Sequence, residues 1–173
     1  KLINAYGPTE CSVVATAGEV THPTSEKGLP SIGRPISNVK LYILNSALQL
    51  VPPGVMGELY IGDAGLAQAY LNKAELTAEK FIPNPFAAGH LYRSGDLARW
   101  LPTGDIAYCG RIDQQVQIRG FRVELGDIES ALTSVEGVKE AVVIASPLAD
   151  NTKRLLAYLV LNPRQGDTFD KSA

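Results

Sequence analysis

Cysteine and histidine are scarce in this chain of 173 residues, which holds two of each: Cys11, Cys109, His22 and His90. The two cysteines lie far apart and form no CxxC pair, so neither a disulfide framework nor a zinc site is indicated. Buried reduced thiols are the simpler expectation, and they suit a cytoplasmic protein. Long apolar runs are lacking too, and no stretch approaches the ~20 residues that cross a bilayer. The N-terminus has no signal-peptide layout. An excess of one charge is also missing, since 16 basic residues face 18 acidic ones for a formal net charge of −2. That balance argues against a dominant polyanion-binding surface, with a local basic cluster left open, and neither nucleic acid nor a membrane is expected as a partner.

What remains is average globular chemistry, 45% hydrophobic and 20% charged, so a packed core is expected. Leu2-Ile3-Asn4-Ala5-Tyr6 reads as the end of a buried strand, and the chain starts at Lys1 rather than methionine. It is therefore expected to be a piece of a longer polypeptide. Short strands fill roughly residues 30 to 62: Val39–Leu44, Gln49–Val51 running into the turn Pro52-Pro53-Gly54, and Glu58–Gly62. Their spacing predicts a small antiparallel sheet or barrel. A helix is expected over Lys73–Phe81, and strands at Leu91–Arg93 and Gly104–Cys109. Beyond Gly110 the pattern changes. Gln115–Glu124 reads as a hairpin bent at Gly120, followed by an amphipathic helix with Ile128, Leu132 and Val135 on one face and Gly137 as its stop. Val138–Ala145 and Arg154–Leu161 read as two more strands. This β-β-α-β-β order predicts a small α+β unit separate from the β-rich part before it. Residues 162–173 are polar and read as a linker or disordered tail.

Four clusters carry the chemistry. The first is Asn4-Ala5-Tyr6-Gly7-Pro8-Thr9-Glu10. The second is Gly57-Glu58-Leu59-Tyr60-Ile61-Gly62, with Gly65-Leu66-Ala67 and Tyr70. The third is Tyr92-Arg93-Ser94-Gly95-Asp96-Leu97. The fourth runs from Gly110-Arg111-Ile112-Asp113 through Gln115-Val116 and Ile118-Arg119-Gly120 to Arg122-Val123-Glu124. In this order and spacing they resemble the consecutive core motifs of nonribosomal peptide synthetase adenylation domains, members of the ANL superfamily of adenylate-forming enzymes. The resemblance covers residues 4 to 129 almost continuously. It implies an α+β / α/β fragment: the C-terminal part of the large adenylation subdomain in 1–112, then a partial small subdomain in 113–161.

The implied activity uses ATP and Mg2+ to turn an amino acid into an aminoacyl-AMP. The acyl group then passes to the phosphopantetheine thiol of a peptidyl carrier protein. Attaching AMP to a carboxylate gives it a good leaving group, and that step needs phosphate charge neutralised, the nucleotide held and water excluded. Glu10, after a strand and a Gly-Pro turn, is the implied magnesium ligand, since magnesium prefers one or two carboxylates with phosphate and water. A surface glutamate after a turn is its bland alternative. Thr9 offers a hydroxyl to a phosphate oxygen, or else serves as a turn residue. Gly7 belongs to the same nucleotide loop. Tyr6 offers a ring face to adenine, or else packs a strand end. Asp96, placed after Gly95 at a strand end, has two oxygens that suit the ribose hydroxyls; an Asx-turn competes. Arg111 suits phosphate or ribose, with a salt bridge to Asp113 or Asp105 as the alternative. Tyr108 lines the nucleotide pocket or packs the core.

The resemblance makes Asp113 a hinge about which the small subdomain swings, and Gly120 the point where backbone approaches the carrier's pantetheine arm. Ala5, Val13 and Val14 fall at substrate-pocket positions. None can pair with a charged side chain, which favours an apolar or aromatic amino acid. An MbtH-like accessory protein is a further implied partner. The family's phosphate loop and the aspartate that grips the substrate amine are expected upstream of Lys1, in a missing N-terminal part of the same domain. The family's C-terminal catalytic lysine has no counterpart here, since Lys171 lacks its surroundings. This segment alone is therefore expected to be inactive. The first and third motifs are shared with acyl-CoA ligases, which stay an alternative, as does a noncatalytic docking fragment. The pattern Gly-Arg-Ile-Asp-x-Gln-Val-x-Ile-Arg-Gly favours amino-acid activation.

Overall fold

The structure, a computed structural model, describes residues 1–20, 29–113, 115–118, 121–148 and 153–162. Gly120, Lys171 and the expected tail beyond Asn162 lie outside them. The chain divides into two compact units, Lys1–Ile112 and Asp113–Ala173.

In the first unit, β1 (Ile3–Tyr6), β2 (Thr16–Glu19) and β3 (Arg34–Pro35) form a three-stranded antiparallel sheet in that order. Two side chains tie it to the following loop: Asn4 Nδ2 donates to the Ser31 carbonyl at 2.7 Å, and Thr16 Oγ1 to that of Ile32 at 2.5 Å. The larger sheet contains β4 (Val39–Leu44), β5 (Gly57–Asp63), β6 (Phe81–Pro83), β7 (His90–Trp100) and β8 (Ile106–Arg111). Its order is β4-β5-β7-β6, with β8 also paired to β7, and every pairing is antiparallel. Ile43, Leu59, Ile61, Tyr92 and Ile106 fill the main core, while Leu44, Tyr60 and Leu91 form a second cluster. Alternate residues of β5 thus enter two different clusters, which is why its sequence reads as nearly continuous apolar rather than alternating.

Several elements differ from the sequence reading. Residues 49–51 make only an isolated bridge, Leu44 to Leu50. The expected helix is shorter, α1 (Ala74–Lys80), and Phe81 instead opens β6. The largest change is β7, expected to stop at Arg93 but eleven residues long. Gly95 takes φ +75°, and the pairings of β7 with β5 and with β8 both shift register nearby. A glycine that reads as a strand end is here part of a bulged strand that continues. Asp96 therefore sits inside β7, and the expectation of a strand end is corrected.

The second unit begins with the hairpin β9 (Val116–Ile118) and β10 (Phe121–Val123). Helix α2 (Leu125–Thr133) follows and packs against β11 (Val138–Pro147), itself paired with β12 (Lys153–Leu161). Leu125 and Val143 are buried, and Ile128 and Leu132 are half-buried. Val135 is 55% exposed and lies beyond the helix, so its place on the apolar face is corrected. The cause is local. Thr133 Oγ1 bonds the carbonyls of Glu129 and Ser130, and Ser134 Oγ bonds that of Ala131, closing the last turn before Val135.

Truncating the wholly buried Leu59 to alanine should cost about 2–5 kcal/mol in urea unfolding. The same change at Leu71, 88% exposed, should cost less than about 0.5 kcal/mol.

Candidate functional site

Strand β1 delivers Tyr6, and Gly7-Pro8 turns the chain into a single 3-10 turn, Thr9–Cys11. The loop is tight: a Cβ on Gly7 would lie 2.6 Å from both the Ala15 nitrogen and the Val13 carbonyl oxygen, so only glycine fits there. Ser12 and Val13 follow in left-handed conformations, φ 56° and 73°. For a β-branched residue this is strained by about 1–3 kcal/mol, and it persists only where surrounding bonds impose it. Those bonds are present. Cys11 N donates to the Pro8 carbonyl at 3.0 Å, Ala15 N to that of Tyr6 at 2.8 Å, and Ala67 N to that of Glu10 at 2.8 Å.

Two carboxylates are held inside this region. Glu10 is only 9% exposed, and its Oε1 accepts a hydrogen bond from the Tyr70 hydroxyl at 2.5 Å. Asp96, 5% exposed, is gripped on both oxygens. The Tyr6 hydroxyl donates to Oδ2, and an Arg111 terminal nitrogen donates to Oδ1 at 2.8 Å. The other Arg111 terminal nitrogen donates to the Ser94 carbonyl at 3.1 Å. Ser94 Oγ donates to the Leu59 carbonyl at 2.6 Å and accepts from Asp96 N at 3.0 Å. The Tyr108 ring lies tilted beside Tyr6, centroids 6.4 Å apart. Residues far apart in sequence, Tyr6, Asp96, Tyr108 and Arg111, thus meet in one network, and the turn after Tyr6 leads directly to Glu10.

Burial pushes the Tyr6 phenol far above the ordinary tyrosine range, and the Asp96 charge and hydrogen bond add to it. Burial raises Tyr70 likewise, followed by its bond to Glu10. Both phenols therefore stay protonated and act as donors to the carboxylates they face. The Cys11 thiol is pushed up to about 12, first by burial and then by the Glu10 charge.

Arg111 pairs with buried Asp96, while Asp105 pairs with Arg34 at 2.8 Å. Gly7 is half-buried and Thr9 is exposed on the turn. Ala5 alternates with Tyr6 along β1 and is exposed; Val13 is 67% exposed and Val14 half-buried. Asp113 opens the second unit, where its Oδ1 accepts from Gln115 N at 3.2 Å. Gly120 lies outside the described residues. Among the described residues no group of three or more His, Cys, Asp or Glu could cage a metal. A single buried carboxylate beside an exposed hydroxyl instead suits a hard cation whose remaining ligands arrive with a phosphate and water.

Tyr70, Ser94 and the pair Glu58–Arg93 stand inside the quoted motifs, but sequence reasoning gave them no role. Arg93 Nε meets both Glu58 oxygens, at 3.0 and 3.2 Å, and the Tyr60 hydroxyl donates to Glu58 Oε2 at 3.0 Å. This bond holds Arg93 above its ordinary range, and burial pushes Tyr60 up to about 12, with the Glu58 charge adding. The available signal was register: Tyr60 faces Arg93 across β5 and β7, and Glu58 lies two residues along the same face.

Comparison with known proteins gives a consistent result. The family of AMP-binding enzymes matches residues 1–71, and the AMP-binding enzyme C-terminal domain matches residues 127–172. Bacitracin synthase 3 of Bacillus licheniformis is 54% identical over 167 residues, 96% of this chain and 3% of that protein. Tyrocidine synthase 1 of Brevibacillus parabrevis is 52% identical over 162 residues, 92% of this chain and 15% of that protein. The chain therefore spans a small part of the length of these relatives. Among solved structures, PA1221, a nonribosomal peptide synthetase protein containing adenylation and PCP domains, superposes with a TM-score of 0.80 at 29% identity. The match covers 92% of this chain and 33% of that one. The four-domain synthetase AB3403, bound to AMP and glycine, gives a TM-score of 0.57 at 41% identity over 94% of this chain and 12% of its own.

Alkylation provides a test of the site's packing. At pH 8 iodoacetamide should modify half-exposed Cys109 and spare Cys11, which is buried and titrates only near 12. Peptide mass spectrometry after a timed reaction reads the order, and equal labelling would contradict the buried turn.

Proposed function

The chain belongs to the AMP-binding enzymes, as a segment of a nonribosomal peptide synthetase adenylation domain, and from that premise we propose that it supplies the nucleotide-holding half of an amino-acid-activating site. In that reaction a substrate carboxylate oxygen attacks the α-phosphorus of ATP, and pyrophosphate leaves with the electrons of the broken P–O bond. The carrier thiol then attacks the acyl carbon, a thioester forms and AMP departs.

The observation that carries the reading is the network joining Tyr6, Asp96 and Arg111. It brings three separate motifs to one carboxylate. An ionised carboxylate accepts up to about four hydrogen bonds. Ribose hydroxyls can therefore join the donors that the protein already aims at Asp96. Tyr6 and Tyr108 offer ring faces to the base. Arg111 pairs with the carboxylate and places positive charge beside the phosphates. Gly7 lets the turn pass close to the nucleotide, and Thr9 presents its hydroxyl to a phosphate oxygen. Glu10 would hold the magnesium ion that neutralises phosphate charge when bound.

Ala5, Val13 and Val14 form the part of the substrate pocket contributed by this segment, and their side chains favour an apolar or aromatic amino acid. Asp113, first residue of the second unit, serves as the hinge. Gly120 is the position that meets the pantetheine arm of a peptidyl carrier protein. An MbtH-like protein is a further partner, and the free thiols fit a cytoplasmic setting. Because the chain spans about a third of the solved adenylation protein it matches, residues 1–173 alone should give no ATP–pyrophosphate exchange.

In the complete adenylation domain, Asp96→Ala should remove about 2–4 kcal/mol of transition-state stabilisation, roughly 30- to 1,000-fold in kcat/KM for ATP. Pyrophosphate exchange measures it, with amino acids and fatty acids as rival substrates. An Asp96→Ala enzyme with unchanged kcat/KM would remove the ribose role, and activity with fatty acids alone would favour an acyl-CoA ligase.

A further inference from the structure

We propose that Tyr70 is a positioning residue for the Glu10 carboxylate, and that the segment from Gly65 to Tyr70 is a clamp that fixes how Glu10 presents itself to a metal–ATP complex. The proposal rests on Glu10 as the magnesium-side carboxylate and adds the residue that orients it.

Three hydrogen bonds join this segment to the turn around Glu10. Ala67 N donates to the Glu10 carbonyl at 2.8 Å, Ser12 Oγ to the Gly65 carbonyl at 2.9 Å, and the Tyr70 hydroxyl to Glu10 Oε1 at 2.5 Å. The first holds the Glu10 backbone just ahead of the strained residues, and the second holds the side chain of strained Ser12. The third holds the Glu10 side chain itself. The terminal torsion of a glutamate is broad and poorly restrained, so a fixed donor on one oxygen narrows where its carboxylate plane lies.

Tyr70 is fixed in turn. Its N–H donates to Thr77 Oγ1 at 3.0 Å, and the Thr77 hydroxyl donates to the Lys73 carbonyl at 2.8 Å. Its ring meets Phe81 edge-on with centroids 5.6 Å apart, and Phe81 lies 5.2 Å from the wholly buried Tyr92 ring. A continuous line of contacts thus runs from the sheet core through Phe81 and Tyr70 to Glu10. Residues that orient a metal ligand alter metal affinity by about 10- to 100-fold when removed. A tyrosine that merely satisfied a buried carboxylate would instead affect stability and every ligand alike.

The complete adenylation domain of the parent synthetase carries the test. Mn2+ replaces Mg2+ as a paramagnetic probe, titrated in the presence of a nonhydrolysable ATP analogue and followed by electron paramagnetic resonance. AMP affinity without metal and the melting temperature are measured beside it. Tyr70→Phe removes one oxygen and keeps the ring contacts. It should raise the half-saturating Mn2+ concentration about tenfold, leave AMP affinity within about twofold, and fall short of the effect of Glu10→Gln. Thr77→Val, which loosens the Tyr70 backbone, should move Mn2+ in the same direction by a smaller factor, and it decides the matter if Tyr70→Phe does not fold. An unchanged Mn2+ requirement in Tyr70→Phe, with a raised one in Glu10→Gln, overturns the positioning role alone. No change in Glu10→Gln removes Glu10 as the metal carboxylate and the proposal with it. Parallel loss of AMP and Mn2+ binding in Tyr70→Phe marks a purely structural role and overturns it as well.

Discussion

The Asp96 carboxylate, held between a phenol and a guanidinium, is the point on which the first unit's site depends. Tyr6 reaches it from β1 in the small sheet, and Arg111 from the end of β8 in the larger one. With only 8% of the Asp96 side chain and 19% of the Arg111 side chain exposed, neither charge is left to water. A buried pair of this kind contributes little net stability compared with an apolar replacement. Removing one partner strands the other at a cost of about 3–5 kcal/mol. Its value lies in orientation: one carboxylate fixes where two sheets place their functional side chains.

The turn between Tyr6 and Ala15 works under the opposite constraint, crowding rather than charge. Gly7 has no room for a side chain, and Ser12 and Val13 occupy conformations that cost free energy. The turn is nonetheless held by hydrogen bonds to the Gly65 carbonyl and from the Ala67 N–H, as well as by bonds between its own ends. Strain imposed from several sides keeps a loop in one shape, and a loop in one shape can present Glu10 and Thr9 without reorganising when a ligand arrives.

Much of this was legible in the sequence, for physical reasons that can be named. Turn residues and short apolar stretches marked β4 and β5, and alternation marked the hairpin of the second unit, because side-chain period and turn chemistry are local properties. Motif order pointed to Tyr6, Glu10, Asp96 and Arg111 before any geometry was known. What was not legible depended on long-range pairing. Gly95 reads as an end because glycine usually breaks a strand, yet pairing on both sides of β7 carries the strand through a bulge. Val135 fits a helical period but falls beyond a helix that serine and threonine hydroxyls have already closed. Tyr70 stands in the second motif but its role was not legible there, since its meaning depends on Glu10, sixty residues away.

The two carboxylates share one solution despite their different proposed tasks. Each faces a tyrosine whose phenol is kept protonated, mainly by burial and further by the anion beside it. A lysine in the same place would neutralise the carboxylate, whereas a phenol orients it and leaves its charge in place. For Asp96 the positive charge then comes separately, from Arg111 on the other oxygen, so orientation and charge are set by different residues. That division explains why an arginine is needed there: its planar fork spans Asp96 and the Ser94 carbonyl at once, which a single ammonium group would do without the same fixed geometry. For Glu10 the phenol orients one oxygen by donating to it, and a neutral donor adds no positive charge of its own to compete with a cation.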